Sequence, residues 1–280
     1  MTLKIALPNK GSLSESATQI LREAGYRQRS DAKDLVLLDP ENGVEFYYLR
    51  PRDIAVYVGT GELAVGITGR DLLIDSGSQA REVMALDFGH STFRFAAREP
   101  LSVEALSKKR IATAYPGLVS TYLASHKVDA QVIKLDGAVE GSIRLGVADV
   151  IADVVSTGGT LRQAGLVSFG EPLLISEGIL IERQGAPRSI EFETLIRRLQ
   201  GVVIARQYVL VDYDVAEKDL EQACAVTPGL ESPTISPLQK AGWVAVRAMV
   251  RKKEVHRVMD ELYTCGARGI LVTDIHASRL

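Results

Sequence analysis

The stretch Asp153-Val154-Val155-Ser156-Thr157-Gly158-Gly159-Thr160-Leu161 is where residue types and spacing most strongly suggest chemistry. Adjacent glycines let backbone N–H groups converge, and hydroxyls supply further donors, an arrangement suited to phosphate oxygens. Asp153, just ahead of the turn, can accept hydrogen bonds from sugar hydroxyls. A bare Gly/Ser/Thr loop can also be only a tight turn. Lys10 and Gly11 precede Ser12-Leu13-Ser14-Glu15, which matches a capping box, so they lie at a helix N-terminus. There, unpaired N–H groups and the positive helix end point at one spot. Gly69-Arg70-Asp71 opens another helix, and Ala114-Tyr115-Pro116-Gly117 leads into a third. Arg50, Arg52 and Arg70 are either solvated surface charges or substrate contacts, with Arg50 the preferred contact. Asp71 can cap its helix, and Tyr115 can be a half-buried aromatic.

These turns need strands and helices to hold them. The sequence predicts strands at 3–7, 64–68, 110–113, 132–135 and 150–155, each running through a small-residue turn into a helix, with a hairpin formed by 35–38 and 44–49. A parallel sheet with crossover helices is the economical arrangement. From 206 the order becomes strand, helix, strand, strand, helix, strand, which is the ferredoxin-like plan. An amphipathic helix over 190–205 precedes it.

Composition narrows the function classes. At 280 residues, with 46% hydrophobic and 24% charged residues, the chain exceeds one ordinary domain and is neither disordered nor fibrous. A net charge of −2 provides no broad basic surface for nucleic acid, so an anionic ligand must be met locally. No apolar run approaches the roughly 20 residues of a membrane span, and the opening residues reach Pro8 before an export segment can form, which predicts a cytoplasmic protein. Cys224 and Cys265 lack CxxC or Cys/His neighbours, and His90, His126, His256 and His276 lack metal spacing.

The pattern Glu140-x5-Gly146-x-Ala148-x2-Ile151-x-Asp153-Val154-x2-Thr157-Gly158-x-Thr160-Leu161 resembles the signature of the ATP phosphoribosyltransferases, which commit carbon to histidine biosynthesis. The resemblance extends over Pro8-Asn9-Lys10-Gly11, Leu49-Arg50-Pro51-Arg52-Asp53-Ile54, Gly66-Ile67-Thr68-Gly69-Arg70-Asp71 and Leu135-Asp136-Gly137-Ala138-Val139-Glu140. Thr227-Pro228-Gly229-Leu230-Glu231-Ser232-Pro233-Thr234 extends it into the long form, which carries its own regulatory domain. Many members have an arginine where this chain has Ser12, so a phosphate contact common elsewhere is absent or replaced.

The resemblance implies transfer of 5-phosphoribosyl from phosphoribosyl pyrophosphate (PRPP) to N1 of ATP, with release of pyrophosphate. It implies a two-lobed α/β catalytic part of the type II periplasmic-binding-protein kind: lobe I at 1–89, resumed at about 177–205, and lobe II at 90–176. An ACT-like, histidine-binding regulatory domain follows at 206–280. On this model Ser156, Thr157, Gly158, Gly159 and Thr160 clasp the 5-phosphate of PRPP, with Asp153 and Glu140 near the ribose. Lys10 and Gly11 face pyrophosphate or triphosphate from the opposite lobe, and Arg50, Asp71 and Tyr115 complete the site. Mg²⁺ rides on substrate oxygens without a fixed protein cage. No general base is expected, because adenine N1 is already a nucleophile. L-histidine is expected to inhibit through Asp214, Leu230, Ser232, Thr234 and Thr273, in homo-oligomers ranging from dimer to hexamer. The rival reading is a non-catalytic small-molecule sensor on the same two-lobed fold, against which the phosphate turn argues. A free-base phosphoribosyltransferase would place two adjacent acidic residues before the turn, where Ile151-Ala152-Asp153 offers one.

Overall fold

A computed structural model of the chain describes residues 2–137, 139–155 and 158–279. The chain divides into two compact units, one built from the chain up to Arg22 with Tyr26–Glu193, the other from Glu23–Gly25 with the chain from Thr194 onward.

The first unit opens with β1 (Leu3–Pro8), α1 (Ser12–Glu23), β2 (Val36–Asp39), β3 (Val44–Leu49), α2 (Pro51–Thr60), β4 (Val65–Gly69), α3 (Arg70–Ser76) and β5 (Ala80–Ala85). It continues through β6 (Ser91–Ala97), β7 (Arg110–Thr113), α4 (Pro116–Ser125), β8 (Gln131–Lys134), α5 (Gly141–Arg144), β9 (Val150–Val155), α6 (Gly159–Gln163), β10 (Val167–Ser176) and β11 (Gly178–Arg183). A six-stranded sheet in the order β2-β3-β1-β4-β11-β5 forms the first lobe, and a five-stranded sheet in the order β10-β6-β9-β7-β8 forms the second. β1 is central and covered on both faces, with Ile5, Ala6 and Leu7 at most 1% exposed, which is why it reads as an unbroken apolar run.

The expected parallel pairing holds for β1 with β3 and β4, and for β7 with β8 and β9. Elsewhere it is corrected: both sheets are mixed. β11 runs antiparallel to β4 and β5, and β6 antiparallel to β9 and β10. These are the strands by which the chain passes between sheets, and antiparallel neighbours need no crossover helix. The passages bond to each other, Leu86 N–H to the Gly178 carbonyl at 2.9 Å and Gly178 N–H to the Phe88 carbonyl at 2.8 Å. The expected capping box is also displaced. The Gly11 carbonyl accepts from the Ser14 and Glu15 N–H groups at 2.9 and 3.4 Å, so Gly11 takes the cap position and Ser12 begins the helix.

α7 (Ile190–Gln207) leads into the second unit, which continues with β12 (Tyr208–Ala216), α8 (Leu220–Val226), β13 (Thr234–Pro237), β14 (Trp243–Arg251), α9 (Val255–Thr264) and β15 (Arg268–Asp274). The sheet order β13-β14-β12-β15 is the ferredoxin-like arrangement expected from the sequence. Val209, Val211, Tyr213 and Val215 alternate along β12 and pack with Val258 and Leu262 of α9, while Leu210, Asp212 and Asp214 point to the opposite face. Among the described residues, no helix is long and apolar enough to cross a membrane.

Candidate functional site

The β3–α2 junction brings the first lobe's cations to the cleft. Arg50 stays extended (φ −63°, ψ 134°) and Pro51 takes the first helical position, where its missing N–H costs nothing. Lys10, Gly11, Arg50 and Arg52 line a hollow of about 440 Å³ together with Tyr115, which comes from the second lobe. Lys10 and Arg50 are exposed and make no ion pair among the described residues. The other two arginines are engaged. Arg52 pairs with Asp75 at 3.0 Å and lies over the Tyr115 ring at 4.5 Å. Arg70 is bound by Glu82 at 2.8 Å, Glu177 at 3.2 Å and the Ile175 carbonyl at 3.1 Å, which fastens α3 to the strands crossing between lobes. Arg50 is thus the arginine left available for an anion. Beside Lys10, the Asn9 side-chain oxygen Oδ1 is buried without a hydrogen-bond partner among the described residues.

On the second lobe, β9 carries Asp153, whose carboxylate accepts from the Val154 N–H at 2.8 Å. A smaller hollow of about 70 Å³ gathers Glu140, Asp153, Gly158, Gly159 and Thr160. Gly158 has φ +69° and caps α6 from just ahead of it. Ser156 and Thr157 lie outside the described residues.

Asp71 and Tyr115 connect the two lobes. Asp71 is 8% exposed and accepts from the Ser176 hydroxyl at 2.8 Å, and its carboxylate acts on the Tyr115 phenol of the other lobe. Burial, reinforced by the Asp71 carboxylate, pushes the Tyr115 phenol well up, so it remains a donor. Burial also pushes the Asp153 carboxyl up. Glu140 and Asp71 add to this shift, while the Val154 N–H and Arg52 oppose it. Asp71 and Arg52 of one lobe therefore share a field with Tyr115, Asp153 and Glu140 of the other. Such a cluster can hold a hydroxylated, phosphate-bearing ligand between a cationic rim and acidic acceptors.

The expected histidine-site residues are distributed over the second unit. Asp214 is half-buried in β12, and Thr273 of β15 pairs with Leu210, about 13 Å further along the strand. Thr234 pairs with Arg247 of β14, two strands from β15, and Leu230 and Ser232 are exposed in the preceding loop. A single chain does not gather these five residues at one point.

Arg52, Asp75 and Asn9 take part in the cleft beyond what their sequence positions suggest. Arg52 and Asn9 stand inside quoted motifs, whereas nothing in the sequence marks Asp75. His90 is less isolated than its spacing suggested: its ring nitrogen Nε2 lies 3.0 Å from Asp87, and a donor atom of Glu177 completes a group within 4.8 Å at the crossing strands.

A mixed-sheet, two-lobed α/β unit with a charged cleft, followed by a ferredoxin-like unit, defines a periplasmic-binding-protein-like fold with an appended domain. The model of the family described as "HisG: ATP phosphoribosyltransferase" matches residues 50–201, and that of "HisG, C-terminal domain" matches 205–277. An ATP phosphoribosyltransferase of Arthrobacter sp. (strain FB24) is 60% identical, covering 99% of this chain and 100% of that one. One of Salinispora tropica is likewise 60% identical, at 99% and 100% coverage. A solved structure, the ATP phosphoribosyl transferase (HisG:HisZ) complex from Thermotoga maritima, covers 72% of this chain and 98% of its own with a TM-score of 0.61; at 23% identity it shows the fold alone. The chain belongs to the ATP phosphoribosyltransferase family. It is an enzyme of the pentosyltransferase class, and the sensor reading is not favoured.

Proposed function

We propose that the cleft of the first unit binds PRPP and ATP together and transfers the 5-phosphoribosyl group to adenine N1, the first step of L-histidine biosynthesis. The observation that supports this best is the pairing of unpaired Lys10 and Arg50 on one lobe with the carboxylates and phosphate turn of the other. The turn from Asp153 to Thr160 takes the 5-phosphate, and Asp153 and Glu140 accept from the ribose. Lys10, Gly11 and Arg50 stabilise charge as pyrophosphate departs. Adenine N1 needs no base, so the work of the site is alignment and charge neutralisation. The family requires a divalent cation; Mg²⁺ fits as the ion carried on substrate oxygens, with the carboxylates of Asp153 and Glu140 lining the smaller hollow as the hard oxygen donors it would meet. When bound, that ion neutralises the phosphates. The enzyme works in the cytoplasm as a homo-oligomer, from dimer to hexamer, and its C-terminal unit binds L-histidine as a feedback inhibitor.

The test is incubation with ATP, PRPP and Mg²⁺ while the absorbance of N1-phosphoribosyl-ATP is followed. Product with ATP, and none with AMP or guanine, supports the reading; turnover of a free base without turnover of ATP overturns it.

The pH profile gives a second check. Binding of the sugar and the cation needs Asp153 ionised, and its raised carboxyl gains a proton as pH falls, so the acid limb of kcat/KM for PRPP should lie above the ordinary carboxylate range. Glu140→Gln removes a neighbouring negative charge and should move that limb to lower pH. Arg52→Ala removes a positive charge and should move it to higher pH. A limb unmoved by both substitutions would take the titration away from Asp153.

A further inference from the structure

The N-terminus of α4, on the second lobe, already holds an anion, and the first lobe supplies it. Asp75, near the end of α3, is 12% exposed at its side chain. Its Oδ1 accepts from the backbone N–H groups of Gly117 at 2.9 Å and Leu118 at 3.2 Å, and its Oδ2 accepts from the Arg52 guanidinium at 3.0 Å. Pro116 has no N–H, so Gly117 and Leu118 are the first backbone donors that α4 leaves unpaired. Helices ordinarily satisfy such donors with the side chain of their own cap residue. Tyr115, the cap residue here, makes no such bond, and a carboxylate from the opposite lobe replaces it. Approach is close enough that a Cβ on Gly117 would collide with the Asp75 carbonyl oxygen, with the carbonyl carbon at 3.2 Å.

The position of this contact along α3 gives it mechanical meaning. At its start, α3 is fastened to the crossing strands: the Arg70 N–H donates to the Glu177 carbonyl at 3.1 Å and the Asp71 N–H to the Ser176 hydroxyl at 3.1 Å. Asp75 lies about 7 Å further along the helix. α3 therefore runs as a strut from the crossing strands to a second point of attachment on the other lobe. Arg52, held by Asp75, is the same guanidinium that lies over Tyr115 and acts on Asp153. We infer that Asp75 is a positioning residue, a latch that sets the spacing of the two lobes before substrate arrives and so holds Tyr115 and Asp153 in register with Arg52 and Asp71.

The inference rests on the cleft being the substrate site, and its test has an arm that needs no turnover. Hydrogen–deuterium exchange on the full-length chain should show the Gly117 and Leu118 amides exchanging at least tenfold faster in Asp75→Ala, with β9 still protected. In steady-state kinetics, KM for both ATP and PRPP should rise fivefold or more with kcat within twofold, because substrates spanning the cleft hold the lobes once bound. Asp75→Asn keeps an acceptor for both amides but loses the charge facing Arg52, and should fall between wild type and Asp75→Ala. Gly117→Ala leaves every charge in place and forces the contact apart, so it should reproduce the direction of Asp75→Ala even if that variant folds poorly. Unchanged exchange at Gly117 and Leu118 would overturn the latch. So would a loss of active enzyme or of melting temperature with both KM values unmoved in Asp75→Ala and Gly117→Ala, since that marks a helix cap and nothing more. Absent turnover with faster exchange would count against the cleft assignment and leave the latch standing.

Discussion

Valine in place of Gly158 is expected to raise the dissociation constant for PRPP about 100-fold and that for ATP less than threefold. Gly158 sits at φ +69°, a conformation that costs an L-residue roughly 1–2 kcal/mol and a β-branched one more. A Cβ there would lie 3.3 Å from the Arg162 guanidinium, a tight contact that this flexible side chain must yield to, and 3.8 Å from Val155. The penalty comes from twisting the turn and from filling the space through which its N–H groups reach a phosphate. A 100-fold loss corresponds to about 2.7 kcal/mol, and its confinement to PRPP, with ATP affected less than threefold, is what separates lost phosphate contact from strain in the turn alone. Isothermal titration with each substrate separately measures the two effects. Equal, small losses for both would mean that the turn is structural and that PRPP binds elsewhere.

Alanine in place of Asp214 is expected to raise the L-histidine concentration for half-inhibition about 30-fold, with uninhibited kcat within twofold. Asp214 lies on the face of β12 that points away from the helical core, near Gly269, whose Cβ would come within 3.5 Å of its carboxylate. A carboxylate there can take the ammonium or imidazole of the effector, and a charge-assisted hydrogen bond of about 1.5–3 kcal/mol corresponds to roughly 10- to 150-fold in affinity. The five expected contacts are spread over the sheet and the loop before β13, so a histidine site built from them would need a second copy of the domain. Inhibition should therefore persist at saturating ATP and depend on oligomeric state. Wild-type sensitivity in Asp214→Ala would move the effector site elsewhere.

The features legible in the sequence share one property, a local cause. The strand at 150–155 is apolar and short, and Gly158-Gly159 must end it. The ferredoxin-like order in the second unit follows from alternation along β12 and β14 and from the amphipathic α9. β5 and β10 were not legible, whereas the edge strands β2 and β8 were. β5 has no fully buried residue and β10 is mostly exposed or half-buried, so neither carries a clean apolar period. Strand direction was hidden for the same reason, because it depends on where the chain passes between sheets. Lys10, Arg50 and Asp153 announced themselves within motifs, but which arginines remain free is decided by partners distant in sequence, such as Glu177 for Arg70. Asp75 is invisible until α4 is placed opposite it.

The bond formed in the reaction can be observed directly. With ¹³C at C1 of PRPP and ¹⁵N at N1 of ATP, the full-length enzyme and Mg²⁺ should give a product whose spectrum shows one-bond coupling between the two labels, with one pyrophosphate released for each coupled product. Consumption of PRPP without that coupling, or coupling of C1 to a free purine base in preference to ATP, would contradict phosphoribosyl transfer to ATP.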